Sequence, residues 1–175
     1  MSENLTNKDL RIIRQNSKAV TIVHSRSGNT ASVAMTLSEI LQTDYFRIEG
    51  PEGIGNSFFS SPNRNKELLI KPESVELQNY SLVILGSPIW YWHPTAVIFS
   101  FIKKHNLANK KVILFYTFEG GVWKSAIAEW KVLVEKQGGF VIDVIEINRK
   151  VHKTKIEIDS EIKKIIESKK DYWLK

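Results

Sequence analysis

The chain contains no cysteine. It therefore has no disulfide framework, no thiolate nucleophile and no cysteine-ligated iron–sulfur cluster. No apolar run approaches the ~18 residues that cross a bilayer. Met1 to Lys18 is polar and charged and lacks the hydrophobic stretch of a signal peptide. The expectation from these absences is a soluble cytoplasmic protein without a membrane span. No G-x-x-x-x-G-K-[ST] is present, so a nucleoside triphosphate on a Walker loop is not expected. No G-x-G-x-x-G is present either, so the dinucleotide fingerprint is missing. Internal repeats, low-complexity tracts and domain linkers are absent as well.

What remains suits one domain. A chain of 175 residues, 42% hydrophobic, can bury a sizeable core. We expect residues 1–18 to be an N-terminal extension, a short helix packed on the outside, and 19–175 to be a single domain. The formal net charge is +6. Arg149 to Lys175 holds nine Lys/Arg against five Asp/Glu, most of that excess. A basic balance can attract nucleic acid, anionic lipid or an acidic protein. Here the two signs are mixed and no aromatics interleave along a basic face, so a solvated helix is expected and nucleic acid is not.

Ala19–His24 (AVTIVH) is a short β-branched run and reads as a buried strand. After SRSGNT, Val33, Ala34, Leu37 and Leu41 recur at helical spacing, predicting a helix over about Thr30 to Gln42. Asp44–Ile48 is a second strand. Glu49 to Tyr80 is read as mostly irregular, with at most a short helix near Asn63 to Leu69. Leu82–Gly86 (LVILG) is a third strand, and SPIWYWHP a loop after it. Thr95 is placed to cap the next helix. Lys111–Thr117 is a fourth strand. A helix follows from near Val122 and ends at Gly138 and Gly139. Phe140–Ile147 is a fifth strand. Asp159 is expected to cap a last helix, with Ile162, Ile165 and Ile166 inward and Lys163, Lys164, Lys169 and Lys170 in water. Alternating strands and helices predict an α/β fold: a doubly wound, five-stranded parallel sheet of order 2-1-3-4-5 with helices on both faces.

Ligands of such sheets sit beyond the carboxyl ends of the strands, where the strand order reverses. Three loops reach that edge. Ser25-Arg26-Ser27-Gly28-Asn29-Thr30 joins a strand to a helix start, which offers unpaired N–H groups and a positive dipole end. Gly28 permits a tight curl. Ser25, Ser27 and Thr30 add hydroxyls, so the turn can cradle one phosphate or be an ordinary capped turn. Arg26 faces either the phosphate or solvent. Gly86 to Pro94 carries Trp90, Tyr91 and Trp92, which must pack on a neighbour or cover a planar ligand. His93 reads as a capping or surface histidine rather than a base. Thr117-Phe118-Glu119-Gly120-Gly121 lets backbone amides approach a polar ring edge, or is a flexible turn.

Together these loops resemble the flavodoxin-like family over about Ala19 to Ile147. Its phosphate loop, [ST]-x-[ST]-G-x-[ST], is matched at every fixed position by Ser25 to Thr30. GSPIW after the third strand and FYTFEGG after the fourth are similar too. The resemblance implies FMN, its phosphate on Ser25, Arg26, Ser27, Gly28, Asn29 and Thr30. It also implies ring contacts from Ser87, Pro88, Ile89, Trp90 and Tyr91, with Trp90 the main one, and a pyrimidine-edge loop of Thr117, Glu119, Gly120 and Gly121. No residue is assigned a catalytic proton transfer, and no metal set is seen.

The implied function is an FMN redox protein. It would be either an electron carrier served by donor and acceptor proteins or an NAD(P)H-dependent reductase of a small acceptor. The alternative is a flavin-free interaction module on the same fold. Two features depart from the family pattern: the chain is basic where small flavodoxins are acidic, and Glu119 stands where a small residue is common. A reduced flavin tends to become an anion, so basic surroundings predict a less reducing flavin than an acidic relative holds.

Overall fold

The computed structural model describes residues 11–14, 17–51 and 66–174. In chain order the elements are β1 (Arg11–Ile12), β2 (Ala19–His24), α1 (Asn29–Leu41), β3 (Asp44–Ile48), β4 (Leu82–Trp90), β5 (His93–Pro94), α2 (Ala96–Lys104), β6 (Lys111–Phe118), α3 (Lys124–Lys136), β7 (Phe140–Asn148) and α4 (Lys155–Leu174). The aliphatic runs of β2, β4 and β6 are buried along nearly their whole length, as a parallel sheet covered on both faces requires. Strands β3-β2-β4-β6-β7 lie in that order and pair in parallel, which is the expected 2-1-3-4-5 arrangement. Among the described residues, no helix is long and apolar enough to cross a membrane.

Helical periodicity places the apolar stripes against the sheet. On one face, Val33 and Leu37 of α1 and Ile158, Ile162, Ile166 and Trp173 of α4 pack with Val23, Ile84, Phe115 and Ile145. On the other, Val97, Ile98 and Phe101 of α2 and Ile127, Trp130 and Val134 of α3 pack with Val20, Ile22, Val83, Leu85 and Leu114. Gly86 is needed inside this packing. It pairs with Phe115, and a Cβ there would lie 2.0 Å from Phe115 Cζ.

Several expectations change. Where residues 1–18 are described, Arg11–Ile12 form an edge strand antiparallel to β3 and not a helix; residues 1–10 and 15–16 lie outside the described residues. Of the short helix expected near Asn63 to Leu69, 66–69 is not helical and 63–65 lies outside. The expected loop after Gly86 is mostly strand. β4 continues to Trp90, turns at Tyr91 and Trp92, and returns as β5, pairing Ile89 with Pro94 and Trp90 with His93.

Asp159 does not cap α4. Thr154 and Glu157 do: Thr154 Oγ1 accepts the Glu157 N–H at 3.2 Å, and Glu157 Oε2 accepts the Lys153 and Thr154 N–H groups, both at 2.9 Å. This is a capping box, T-x-x-E. Asp159 instead accepts from Thr36 Oγ1 and Lys155 Nζ, both at 2.6 Å, and ties α4 to α1. Lys169 is not simply solvated, because its Nζ lies 2.8 Å from Asp143.

Candidate functional site

At the carboxyl edge of the sheet, β2 delivers the chain to Ser25. Gly28 then adopts a left-handed φ of 90°, which a side chain would resist, and the chain enters α1. No side chain caps this helix start, and its first turn carries no acidic residue. Its leading N–H groups and positive dipole end are thus left for a ligand. Ser25 is buried, and its Oγ has no hydrogen-bond partner. A buried hydroxyl without a partner is costly unless something is bound against it.

The turn is braced from behind and from the side. Arg47, near the end of β3, donates from Nε to the Ser25 carbonyl at 3.0 Å and from Nη2 to the Arg26 carbonyl at 3.4 Å. Thr30 Oγ1 and Thr117 Oγ1 share a buried hydrogen bond of 2.8 Å, which joins the start of α1 to the end of β6. A cleft of 230 Å³ opens between these parts. Ser25, Arg26, Ser27, Asn29 and Thr30 line its polar side, and Pro88, Ile89 and Trp90 line the wall opposite. Thr117, Phe118, Glu119, Gly120 and Arg149 complete it.

The structure therefore brings together most of the residues singled out in the sequence. Arg26 is both exposed and on the cleft. Four of those residues do not line it. Gly28 shapes the turn. Ser87 is fully buried; its Oγ accepts the Thr95 N–H at 3.0 Å and donates to the Pro88 carbonyl at 2.9 Å. Tyr91 is exposed at the hairpin tip, with φ 48°. Gly121 faces Trp92, whose Cδ1 would be 3.2 Å from a Cβ there. Of the loop's three large aromatics, only Trp90 reaches the cleft; Trp92 stacks on Trp123 at 5.8 Å.

His24 stands where the two walls meet. Its Nδ1 shares a 2.8 Å hydrogen bond with Thr95 Oγ1, and its ring meets Trp90 edge-on at 5.5 Å. Burial, reinforced by the nearby Arg47 and Arg26 charges, pushes the imidazole down to about 3, so it is neutral at physiological pH. Thr95 precedes α2 but its hydroxyl makes no cap bond, being engaged with His24 instead. His93 is not a surface residue: it is buried, donates from Nδ1 to the Tyr91 carbonyl at 2.9 Å, and packs edge-on to Trp123.

Sequence reasoning missed Arg47 and Arg149, and named Phe118 only as part of its loop. The two arginines carry no local pattern, because each acts only through where its strand ends. A larger hollow of 460 Å³ lies at the opposite, amino ends of the strands, lined among others by Val75, Lys104, His105 and Lys110. Both ring nitrogens of His105 are already bonded, to the Phe101 carbonyl and the Val75 N–H. The smaller cleft has the hydroxyls, the helix start and the position at the strand-order reversal, and is the candidate ligand site. No group of side chains among the described residues could hold a metal ion.

Hydroxyls around a helix start, flanked by guanidinium groups, suit a phosphate. An indole beside Ile89 suits the face of a flat ring. Comparison with solved structures finds the same fold in flavin proteins. A flavoprotein from Lactobacillus acidophilus NCFM, in complex with FMN, superposes with a TM-score of 0.61 at 22% identity, over 78% of this chain and 97% of that one. Oxidised flavodoxin 2 from Bacillus cereus gives 0.52 at 19% identity, over 87% and 99%. Two-electron reduced flavodoxin from Megasphaera elsdenii gives 0.51 at 20% identity, over 83% and 98%. At such identities these likenesses establish the fold. No curated protein matches the chain at a significant level. The family profile described as Flavodoxin matches residues 18–157, most of the chain. The chain belongs to the flavodoxin family.

Proposed function

We propose that this protein binds FMN in the cleft and works as a redox protein. The observation that carries the reading is Ser25 Oγ, a buried hydroxyl without a partner, at the mouth of an uncapped helix start in a family of flavin proteins. Ser25, Ser27, Thr30 and the first N–H groups of α1 hold the phosphate. Each hydrogen bond to such a charged group is worth about 1.5–3 kcal/mol. Arg47 keeps the turn in shape by holding its carbonyls away from the phosphate. Trp90 and Ile89 cover one face of the ring, and Thr117 to Gly120 border its edge. Bound FMN supplies reversible electron transfer, and the chain supplies position, charge and partial exclusion of water.

The cleft's 230 Å³ is below the ~300 Å³ at which pockets begin to enclose a whole drug-sized ligand. A mononucleotide held here keeps part of its ring in solvent, where a donor or acceptor can approach it. That arrangement serves a carrier between redox proteins and an NAD(P)H-dependent reductase equally. The test is a visible spectrum after incubation with FMN and dialysis, followed by anaerobic addition of NADH or NADPH. Retained flavin bands are expected. A colourless protein contradicts the reading and favours a flavin-free interaction module. Bleaching by the nicotinamide alone identifies a reductase; bleaching only with an added reductase protein identifies a carrier.

A further inference from the structure

Among the described residues of the basic C-terminal segment, Arg149 is the one found on the cleft. It follows directly on β7, the strand beside β6. Its backbone N–H donates to the Phe118 carbonyl at 2.7 Å, which fixes it next to the part of the cleft formed by Phe118, Glu119 and Gly120. The turn that follows is bonded internally, with the Val151 and His152 N–H groups on the Asn148 carbonyl and the Lys150 N–H on Asn148 Oδ1. The backbone is thus set, and the residue lines the cleft. Arg149 Nε is buried and has no partner. Among the described residues no carboxylate pairs with this guanidinium; the ion pairs lie at Lys104–Glu67, Lys155–Asp159 and Lys169–Asp143. Glu119 lines the same cleft and does not engage it. A permanently charged fork with a buried, unsatisfied donor calls for an anion.

Sheet order favours the ring over the phosphate as that anion. The phosphate cradle is built at the end of β2, and sheet order places β4 and β6 between β2 and β7. Three strand spacings of ~4.8 Å separate the two strand ends. The start of α1 narrows the gap only as far as Thr117, while Arg149 lies beyond it, beside Phe118. A ligand whose phosphate rests on Ser25 to Thr30 and whose ring rests on Trp90 brings its ring end to Phe118, Glu119, Gly120 and Arg149.

We infer that Arg149 is the charge partner of the cofactor's reduced ring and sets its potential. The inference rests on the FMN reading above. Two electrons and one proton, delivered as hydride by a nicotinamide or as electrons from a redox protein with the proton from water, convert the neutral oxidised ring to an anion. A guanidinium at its edge stabilises that anion and leaves the oxidised ring almost unaffected. Reduced FMN then binds more tightly, relative to oxidised FMN, than it would without Arg149. Glu119 acts with the opposite sign.

The experiment compares the wild-type protein with Arg149→Gln and Arg149→Lys. Three quantities are read: affinity for oxidised FMN, affinity for oxidised riboflavin, and the two-electron midpoint potential of the FMN-loaded protein. For Arg149→Gln, oxidised FMN affinity is expected to stay within threefold of wild type, and so is the preference for FMN over riboflavin. The ratio of reduced to oxidised affinity is expected to fall about tenfold, which for two electrons is ~30 mV more negative. Arg149→Lys retains the charge and stays within threefold of wild type. An unchanged potential in Arg149→Gln overturns the inference. So does a loss confined to the preference for FMN over riboflavin, which would make Arg149 a phosphate ligand. A wild-type protein that binds neither flavin overturns the FMN reading itself, and is seen before any variant is compared.

Discussion

On one wall of the cleft, the Ser25–Thr30 turn leaves the Ser25 hydroxyl and the start of α1 without side-chain partners. On the other, the β4–β5 hairpin spends its polar groups on itself. Ser25 Oγ has no partner, α1 starts without a side-chain cap, and the carbonyls of Ser25 and Arg26 are tied down by Arg47 from outside. Across from them Ser87, Thr95 and His24 form a hydrogen-bonded chain under the hairpin, and Pro88, Ile89 and Trp90 line the cleft. A buried polar group with no partner is tolerated where a ligand completes it, and a fully paired network makes a rigid wall. Substitutions in the first wall should therefore act on binding, and those in the second on stability.

The strongest test of the second wall is at its base. Gly86→Ala drives a methyl into the Phe115 ring and is expected to destabilise the protein by about 3 kcal/mol, measured by urea unfolding without ligand. Little change would mean that the ring can move aside and that the wall is softer than its packing indicates.

Next is His24. The unfolded chain takes up a proton near pH 6.5 and the folded one not until about pH 3. The unfolded state thus binds more protons between these values, and stability falls as pH drops below 6.5 and levels off near 3. The slope rises from half of about 1.4 kcal/mol per pH unit at pH 6.5 towards that full value, so roughly 1.6 kcal/mol is lost between pH 6.5 and 5. Unfolding of His24→Gln over the same range should lose most of that slope; if the slope survives, another group carries it.

Ser87→Ala strands the buried Thr95 N–H and should cost roughly 1.5 kcal/mol of stability, while the folded variant binds FMN about as well as wild type. Ser25→Ala, in the first wall, reverses this pattern. It removes an unsatisfied buried hydroxyl, so the ligand-free protein should keep or slightly gain stability, while FMN binding weakens by about 1.5 kcal/mol, roughly tenfold. A Ser25→Ala protein that is destabilised and binds normally would erase the distinction between the walls.

The two walls also differed in how well they could be read from sequence. The first is local: a β-branched strand, a turn of Ser, Gly and Thr, and a helical stripe specify it within Ala19 to Leu41. Of the five parallel strands, β2, β4 and β6 were legible for the same reason, as short runs rich in aliphatic residues, and β3 (DYFRI) and β7 (FVIDVIEIN) as short stretches that mix apolar and charged residues. The hairpin was not. Pro88 argues against a strand, and the turn places Tyr91 and Trp92 at φ 48° and 65°, where glycine or asparagine is the usual signal. Its geometry comes from tertiary partners: Ser87 on Thr95, and Trp92 on Trp123. Arg47 and Arg149 are single charges at strand ends, and only the sheet order makes one a brace and the other a cleft residue. The capping box at Thr154 and Glu157 was visible as T-x-x-E; Asp159 drew attention from it although its partner is Thr36, far away in the chain.

The most direct test of the central claim is to titrate the ligand-free protein with FMN and with riboflavin, which differ only in the phosphate. If the Ser25–Thr30 turn is the phosphate cradle, FMN should bind at least tenfold more tightly than riboflavin, and Ser25→Ala should narrow that gap. Equal affinity for the two, or none for either, would contradict the account.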